Sequence, residues 1–397
     1  MRFQPRCCLI LALVAAVCTP LPRAGDLHPQ AAVAAPAGSD AVTVWNANAG
    51  VAATKACIAP LADPFHESRL YAMMHIAIHD ALNAVDRRFR PYTFDQQAPG
   101  ASPEAAVAAA SRDVLVPLLG QLPRELASQE CSVASVASVE AAYSAALAAL
   151  PDNPAKAQGI AVGQAAAAAI LALRAADSAG APFQNTNCPQ APPLGTYQCT
   201  PGFSFIAFEA WAKVIPFVLQ DSAQFRPGPP YAVTEKNYTA DYKEVKALGG
   251  DGSTTPSTRT ADQTEIALVW WESSPLKWNR IARTVAVTRG LTLWEHARLF
   301  GLLNMALADG YIAMADAKNH YHFWRPVTAI QQGETDGNPD TTGDPTWTPL
   351  RPTPPNSDYP SGHSIEGGAA AEVLKQCFGT DQISFQDCSV TLPAGST

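Results

Sequence analysis

Apolar residues recur at three- and four-residue spacing through most of this chain, as they do in helices with one buried face. Ser68–Val85 shows the pattern most clearly. Other stretches with helical signals are 101–121, 132–150, 155–178, 234–248, Thr260–Trp271, Lys277–Arg289, Leu291–Lys318 and Ser361–Phe378. No stretch alternates apolar and polar residues convincingly enough to indicate a strand. The pattern predicts an all-α fold built from helical bundles.

Loop-like segments separate these helices. Residues 179–203 are rich in Pro, Asn, Gly and Cys, a shorter loop covers Pro227–Tyr231, and residues 333–360 form a long proline-rich segment. Long loops inside compact domains are usually functional. We therefore predict an N-terminal helical bundle at 45–230, followed by a second helical domain at 231–397 that contains the proline-rich loop.

Composition narrows the class of protein. Apolar residues make up 47% of the chain, which is enough for a sizeable core, and the net charge of −8 argues against a nucleic-acid partner. The most apolar helix, within 155–178, is short and contains Arg174, so we expect a buried core helix and no transmembrane span.

The N-terminus has the features of an export signal. Arg2 and Arg6 precede an apolar run at 7–18, and small residues follow at candidate cleavage sites. We predict a secreted or periplasmic protein with a signal peptide at 1–24 and a linker at 25–44. A second candidate cleavage site lies as late as residue 34.

Six of the nine cysteines remain after removal of such a signal. An even number suits disulfides in an oxidising compartment, although six cysteines allow fifteen pairings. Proximity in sequence favours the pairs Cys188–Cys199, Cys377–Cys388 and, by remainder, Cys57–Cys131.

Two short stretches carry candidate chemistry. The first contains Lys318, Arg325 and Pro326 at the end of the long helix. A lysine point charge and a planar guanidinium fork suit an oxyanion, although cations also favour a helix C-terminus for its dipole alone. Nearby aromatic and imidazole side chains could line the mouth of such a pocket, namely Trp324, His320 and His322.

The second stretch is Pro360-Ser361-Gly362-His363 at a loop-to-helix junction. Unpaired backbone N–H groups at a helix N-terminus bind anions, and the Ser361 hydroxyl can add a hydrogen bond. Gly362 permits close approach to the backbone. His363 is placed for general acid–base chemistry near neutral pH, although a plain Ser N-cap beside an incidental histidine gives the same letters.

Together, K-x6-R-P and P-S-G-H resemble the first two parts of a three-part signature. It belongs to the superfamily that unites vanadium-dependent haloperoxidases with type 2 phosphatidic acid phosphatases. The surrounding text is similar to the bacterial, chloroperoxidase-like branch. The resemblance implies that Lys318, Arg325, Ser361 and Gly362 bind vanadate or phosphate oxygens and that His363 is the acid–base residue.

The resemblance also implies the chemistry. A haloperoxidase would use vanadate, hydrogen peroxide, halide and an organic acceptor. The alternatives are an acid or lipid phosphatase, which acts on a phosphate ester with a histidine nucleophile, and a helical protein that only binds an anion.

The third part of the signature, S-R-x5-H-x3-D, does not follow P-S-G-H in this sequence. Its histidine is the vanadium ligand, so we expect it beyond Thr397, predict no metal ligand in this chain, and regard the domain at 231–397 as incomplete. A similar run at Ser68, Arg69 and His75 lies at the wrong end of the chain. On the same helix His75, His79 and Asn83 lie four apart on one face, as helical metal ligands can, but we expect them to form a polar stripe buried between helices.

Overall fold

The computed structural model describes residues 39–190 and 192–392. The predicted signal peptide at 1–24 and most of the predicted linker lie outside them. The α-helices of the described residues are α1 (Ala41–Lys55), α2 (Pro64–Val85), α3 (Pro103–Gly120), α4 (Gln129–Ala148), α5 (Pro154–Leu173), α6 (Lys236–Gly249), α7 (Ala261–Val269), α8 (Ser274–Thr288), α9 (Leu293–Tyr321), α10 (Pro326–Gln331) and α11 (Gly362–Phe378).

Strands are almost absent from the described residues. Two-residue strands β1 (Gln184–Asn185) and β2 (Ile206–Ala207) pair antiparallel, and short 3₁₀ turns lie at Glu209–Lys213 and Gly333–Thr335. The predicted all-α class is therefore confirmed.

Local side-chain chemistry sets where the helices begin. Asp63 accepts a hydrogen bond from the backbone N–H of His66 at the start of α2. Thr292 and Glu295 form a reciprocal capping box at the start of α9. Such caps satisfy backbone donors that have no partner inside the helix. They begin α2 and α9 within a few residues of the positions that the sequence predicts.

The predicted linker at 25–44 is wrong at its C-terminal end. Residues Ala41 onward belong to α1, and Asp40 caps that helix by accepting the Thr43 N–H at 3.0 Å. Trp45 and Ala49 on α1 are buried in the main core. The Ala-rich composition concealed a packed helix, because alanine suits both a linker and a close helix–helix contact.

The two longest helices form the centre of the bundle. α2 packs against α3, α5, α8 and α9, while α9 also packs against α11. The main core cluster contains residues from both predicted domains, including Trp45, Tyr71, Ile281 and Phe300. One continuous core therefore crosses the predicted boundary between residues 230 and 231.

Two buried aspartates on these helices hold loops by the same device. Asp80 on α2 accepts the consecutive backbone N–H groups of residues 92, 93 and 94 at 2.7–2.9 Å. Asp309 on α9 accepts those of residues 217, 218 and 219 at 2.6–2.9 Å. Each carboxylate thus fixes the path of a loop across the surface of its helix.

The polar stripe on α2 is buried between helices, as expected. The His75 side chain hydrogen-bonds Asn46 on α1 at 2.8 Å, and Asn46 bonds Asn279 on α8. Burial, with a contribution from Arg283, lowers the pKa of His75 to about 3, so the ring is neutral. His75 lies beside Gly301 on α9, about 25 Å along that helix from Lys318.

Disulfides pin two loops. Cys57 is bonded to Cys131, which links the end of α1 to α4, and Cys188 is bonded to Cys199 within the loop that carries β1 and β2. The predicted pair Cys377–Cys388 is wrong, because the Cys377 thiol is free. Cys377 faces Arg298 and Leu302 on α9, whereas the segment at residues 387–389 bonds to Lys277, Arg280 and Glu272.

The Ala-rich helices lie at one side of the bundle. α5 packs closely on α3, since a Cβ at Gly159 or Gly163 would strike the α3 backbone. The predicted core helix α5 is buried on one face only, since 33% of its apolar stretch is buried. Its Val162, Ala166, Ala167 and Ile170 lie in the main core. By length and composition alone, α4 and α5 are each apolar enough to cross a membrane.

Candidate functional site

Lys318 lies in the last turn of α9 with its ammonium removed from water. Its side chain is 6% exposed, and Nζ donates hydrogen bonds to the carbonyl oxygens of Ser357 and of Asp358, the latter at 2.7 Å. Burial, with repulsion from Arg325, lowers the pKa of Lys318 to about 7. Near neutral pH the side chain is therefore poised to gain a proton if a negative charge is placed beside it.

Arg325 enters the same region from the segment between α9 and α10. Its Nε donates to the Asn356 carbonyl oxygen at 2.6 Å, and its other nitrogens donate to the side chains of Asn356 and Asp358. Burial lowers the pKa of Arg325, while the Asp358 carboxylate partly compensates. Pro326, predicted to end or redirect the long helix, occupies the first turn of the new helix α10.

Residues 356–358 of the proline-rich loop therefore hold both cations. The Ser357 hydroxyl also donates to the Lys318 carbonyl oxygen at 2.9 Å, so loop and helix end are bonded in both directions. Sequence reasoning missed Asn356, Ser357 and Asp358, although they directly precede the P-S-G-H stretch inside a loop predicted to be functional. Short polar side chains in that position were the available signal.

Ser361 and Gly362 form the start of α11. Ser361 caps the helix by accepting the Ser364 N–H at 3.3 Å. The first N–H groups of any helix have no intrahelical partner and carry partial positive charge. A Cβ on Gly362 would lie 2.6 Å from the Met314 sulfur on α9. An alanine at this position would force the Met314 side chain to move, a reason for glycine that the sequence did not reveal.

His363 is exposed at the first turn of α11. Its Nε2 lies 3.1 Å from the carbonyl oxygen of Glu272. A carbonyl oxygen only accepts, so Nε2 carries the proton and Nδ1 is the unprotonated nitrogen of the neutral ring. The Glu272 side chain is held by two hydrogen bonds from Arg280, so the residue that orients His363 is itself fixed.

One cavity of about 450 Å³ joins these groups. Lys318, Arg325, Ser361, Gly362 and His363 all line it. Aromatic side chains make up much of its opposite wall, among them Phe65, Phe183, Phe205, Phe208, Trp271 and Tyr311. Two cations and a helix N-terminus therefore meet beside an apolar wall, an arrangement that favours a small anion.

The three predicted mouth residues lie elsewhere. None of them lines the cavity that contains Lys318 and Arg325. His320 is exposed and lies about 200° round the helix from Lys318, and His322 terminates α9 in a left-handed conformation. Trp324 is buried beside Tyr238 and Ile330, because neighbouring residues of the extended segment before α10 point to opposite sides.

Comparison with known proteins agrees with this geometry. Residues 298–397 match the family model described as the VCPO second helical-bundle domain. A vanadium chloroperoxidase from Curvularia inaequalis is 29% identical over 187 residues, which are 40% of this chain and 30% of that protein. The chain resembles vanadium haloperoxidases in sequence and in fold.

Solved structures of two bacterial vanadium-dependent haloperoxidases share the fold of this chain. The first bacterial vanadium-dependent iodoperoxidase matches with a TM-score of 0.66 and 21% identity, over 85% of this chain and 80% of that one. A holo-type bacterial vanadium-dependent chloroperoxidase matches with a TM-score of 0.63 and 14% identity, over 84% and 80% of the two chains. The chain spans 30% of the length of the curated relative.

The donors in the cavity fit a tetrahedral oxyanion such as vanadate or phosphate. Lys318 and Arg325 supply charge, the Ser361 hydroxyl supplies a donor, and the backbone N–H groups of Gly362 and His363 are open. Among the described residues, no group of three or more His, Cys, Asp or Glu side chains could hold a metal ion. These donors are suited to the oxygens of such an anion.

Proposed function

We propose that the complete protein is an exported, vanadate-dependent haloperoxidase-like enzyme that converts hydrogen peroxide and halide into hypohalous acid for an organic acceptor. The observation that carries this proposal is the meeting of Lys318, Arg325, the start of α11 and His363 in one cavity. The match of residues 298–397 to the VCPO second helical-bundle domain supports it.

Each residue of the cavity has a distinct task in the proposal. Lys318, Arg325, Ser361 and the Gly362 N–H hold the oxygens of vanadate, which, when bound, supplies a Lewis acid that polarises peroxide. Formation of hypohalous acid and water from peroxide and halide consumes one proton. His363 handles this proton at Nδ1, while its Nε2–H stays bonded to the Glu272 carbonyl.

Export is part of the proposal. The basic and apolar N-terminal sequence supports it, as do the disulfides Cys57–Cys131 and Cys188–Cys199, which suit an oxidising compartment. Mass spectrometry of the secreted fraction checks this point: we expect a mature N-terminus between residues 25 and 35.

The activity test uses the protein expressed from its complete gene. We expect bromination of monochlorodimedone that requires vanadate, peroxide and bromide together. Release of phosphate from p-nitrophenyl phosphate, inhibited by vanadate and without bromination, would replace the proposal with a phosphatase. Vanadate binding without either turnover would reduce the function to anion binding.

A further inference from the structure

A second cavity, here called the aromatic cavity, lies on the other side of Trp324 and encloses about 550 Å³. Its walls come from α6, from the segment before α10, and from the loop at residues 228–231. Six aromatic side chains line it, namely Tyr231, Tyr238, Tyr242, Phe323, Trp324 and Tyr359. Its volume falls in the range of sites for small organic ligands.

Hydrogen bonds to the backbone fix the aromatic walls in place. The Tyr242 hydroxyl donates to the Thr342 carbonyl oxygen, and the Tyr359 hydroxyl donates to that of Gly228, both at 2.8 Å. Tyr321 donates to the Pro227 carbonyl and packs its ring against Tyr359 at 5.5 Å. The loop is therefore held in position, so a ligand would meet a preformed surface.

One polar group on the inner wall lacks an acceptor. The buried Trp324 indole N–H faces the buried Tyr238 hydroxyl, whose own proton has no acceptor among the described residues. Tyr238 is 7% exposed and Trp324 is 1% exposed. Buried polar groups normally have partners, and those that lack them require an explanation such as an absent ligand.

The charge at the rim has one sign. Asp241, Glu244 and Asp358 line the cavity, and no Lys or Arg side chain is among its described lining residues. Asp358 is paired with Arg325, whereas Asp241 and Glu244 make no ion pair within the described part of the chain. Lys246, on the same helix, is bonded to the Thr342 carbonyl oxygen and does not line the cavity.

Aromatic faces and carboxylates attract the same ligand. A ring quadrupole stabilises a cation that lies over its face, most strongly for Trp and Tyr. Carboxylates at the rim add Coulomb attraction, which is screened by salt because Asp241 and Glu244 are exposed. An anion would be repelled by the same surface, and a neutral ring would gain only the apolar contact.

We propose that the aromatic cavity is a binding site for a small organic cation with an aromatic or apolar body. The site is distinct from the oxyanion cavity, with which it shares Asp358, and it does not depend on the function proposed above.

The test compares two ligands of nearly equal shape. Phenyltrimethylammonium carries a permanent charge, and tert-butylbenzene is its neutral isostere. Isothermal titration and Trp fluorescence measure their binding to the full chain. We expect the cation to bind at least about tenfold more tightly, which is 1.4 kcal/mol, and to weaken as salt rises. Equal affinities, or no binding of the cation, would overturn the proposal.

The chain offers a matched control for the charge. The double variant Asp241→Asn/Glu244→Gln removes two rim carboxylates spaced three residues apart on α6. Asp262→Asn/Glu265→Gln removes the same pair of charges at the same spacing on α7, away from the cavity. We expect only the first to weaken phenyltrimethylammonium binding, by about tenfold. An equal loss in both variants would show an unspecific effect of net charge and refute the site.

The aromatic contribution has its own variant. Tyr231 is 46% exposed, so Tyr231→Leu keeps apolar area without threatening the fold. We expect it to weaken binding of the cation several-fold and to leave binding of tert-butylbenzene nearly unchanged. The reverse pattern would assign the cavity to neutral apolar molecules.

Discussion

The Lys318 side chain is buried, and its ammonium donates hydrogen bonds only to carbonyl oxygens. The nearby Asp358 carboxylate is paired with Arg325. The charge of Lys318 is therefore incompletely balanced, and its pKa of about 7 expresses that imbalance. An oxyanion in the cavity would restore the balance and raise the pKa again.

Binding of sulfate, whose charge is constant near neutrality, should therefore be coupled to proton uptake. At pH 8 we expect up to about one proton to be taken up per sulfate bound, and sulfate affinity to fall as the pH rises above 7. Titration calorimetry in buffers of different ionisation enthalpy measures the uptake. Lys318→Met should bind sulfate weakly and without this uptake; an unchanged uptake would place the titrating group elsewhere.

Unlike the buried Lys318, His363 is exposed to solvent, and a hydrogen bond to the Glu272 carbonyl oxygen holds its ring. In the complete protein we expect His363→Gln to lower turnover by about 100- to 10,000-fold while vanadate affinity changes little. Steady-state kinetics with equilibrium binding of vanadate separates the two effects. A parallel loss of vanadate affinity would make His363 an anion ligand instead of a proton carrier.

Among the elements, the crossing of α9 and α11 positions the site. Gly362 lies against Met314 on α9, and Gly310 on α9 lies where a Cβ would come within 2.5 Å of Glu366 on α11. Small residues on both helices thus bring Lys318 and the start of α11 to opposite sides of one cavity.

Gly362→Ala should separate these helices slightly. We expect a destabilisation of about 1–3 kcal/mol from overpacking, with weaker sulfate binding. Denaturant unfolding measures the first and calorimetry the second. The double variant Gly362→Ala/Met314→Ala should recover much of the sulfate affinity, since it removes the clashing sulfur. No recovery would indicate that Gly362 is needed at the anion itself.

The loop that Asp309 anchors on α9 is a second structural feature at the scale of elements. Asp309→Ala leaves three N–H groups at residues 217–219 without their acceptor, and we expect a loss of about 2–4 kcal/mol in unfolding free energy. Hydrogen exchange should accelerate at those three amides specifically. The control is Asp316→Asn, on the same helix as Asp309, which weakens the ion pair between Asp316 and Arg226. We expect it to cost under 1 kcal/mol.

At the scale of the molecule, a buried acid sets how stability responds to pH. Glu67 is fully buried on α2 and accepts a hydrogen bond from Ser273, and burial raises its pKa from 4.5 to about 8. Because folding raises this pKa, the contribution of Glu67 to stability is fully present below pH 4.5 and is lost as the pH rises to about 8. Across that window the cost approaches roughly 5 kcal/mol at 1.36 kcal/mol per pKa unit.

Glu67→Gln should therefore flatten the fall in stability between pH 4.5 and 8, as measured by urea unfolding at a series of pH values. Glu366 on α11 is also fully buried with a raised pKa, so part of the fall should remain in this variant. Glu265→Gln on the exposed face of α7 should leave the profile unchanged. A profile of Glu67→Gln that matches the unaltered protein would contradict the prediction.

Periodicity predicted the larger helices of the described chain because each buries one continuous apolar stripe, as Ser68–Val85 does within α2. The linker prediction, which ended at residue 44, took in the first turn of α1. The pairing of Cys377 was wrong because proximity in sequence says nothing about which face of α11 a thiol occupies. Residue types identified Lys318 and His363. They could not identify Asn356 or Glu272, which act through backbone carbonyl oxygens that every residue possesses.

The two aspartates that anchor loops, Asp80 and Asp309, show how the scaffold is related to the site. Five positions of α2 have counterparts in α9 at the same spacing: Arg69 with Arg298, Leu70 with Leu299, Tyr71 with Phe300, His75 with Asn304, and Asp80 with Asp309. This is an internal repeat, the pattern that duplication of a helical unit leaves in a sequence. The first copy ends at Val85, about one turn after its aspartate, whereas the second continues for about three turns. Lys318 lies in the added turns, so the chemistry belongs to the part of the second copy that has no counterpart in the first.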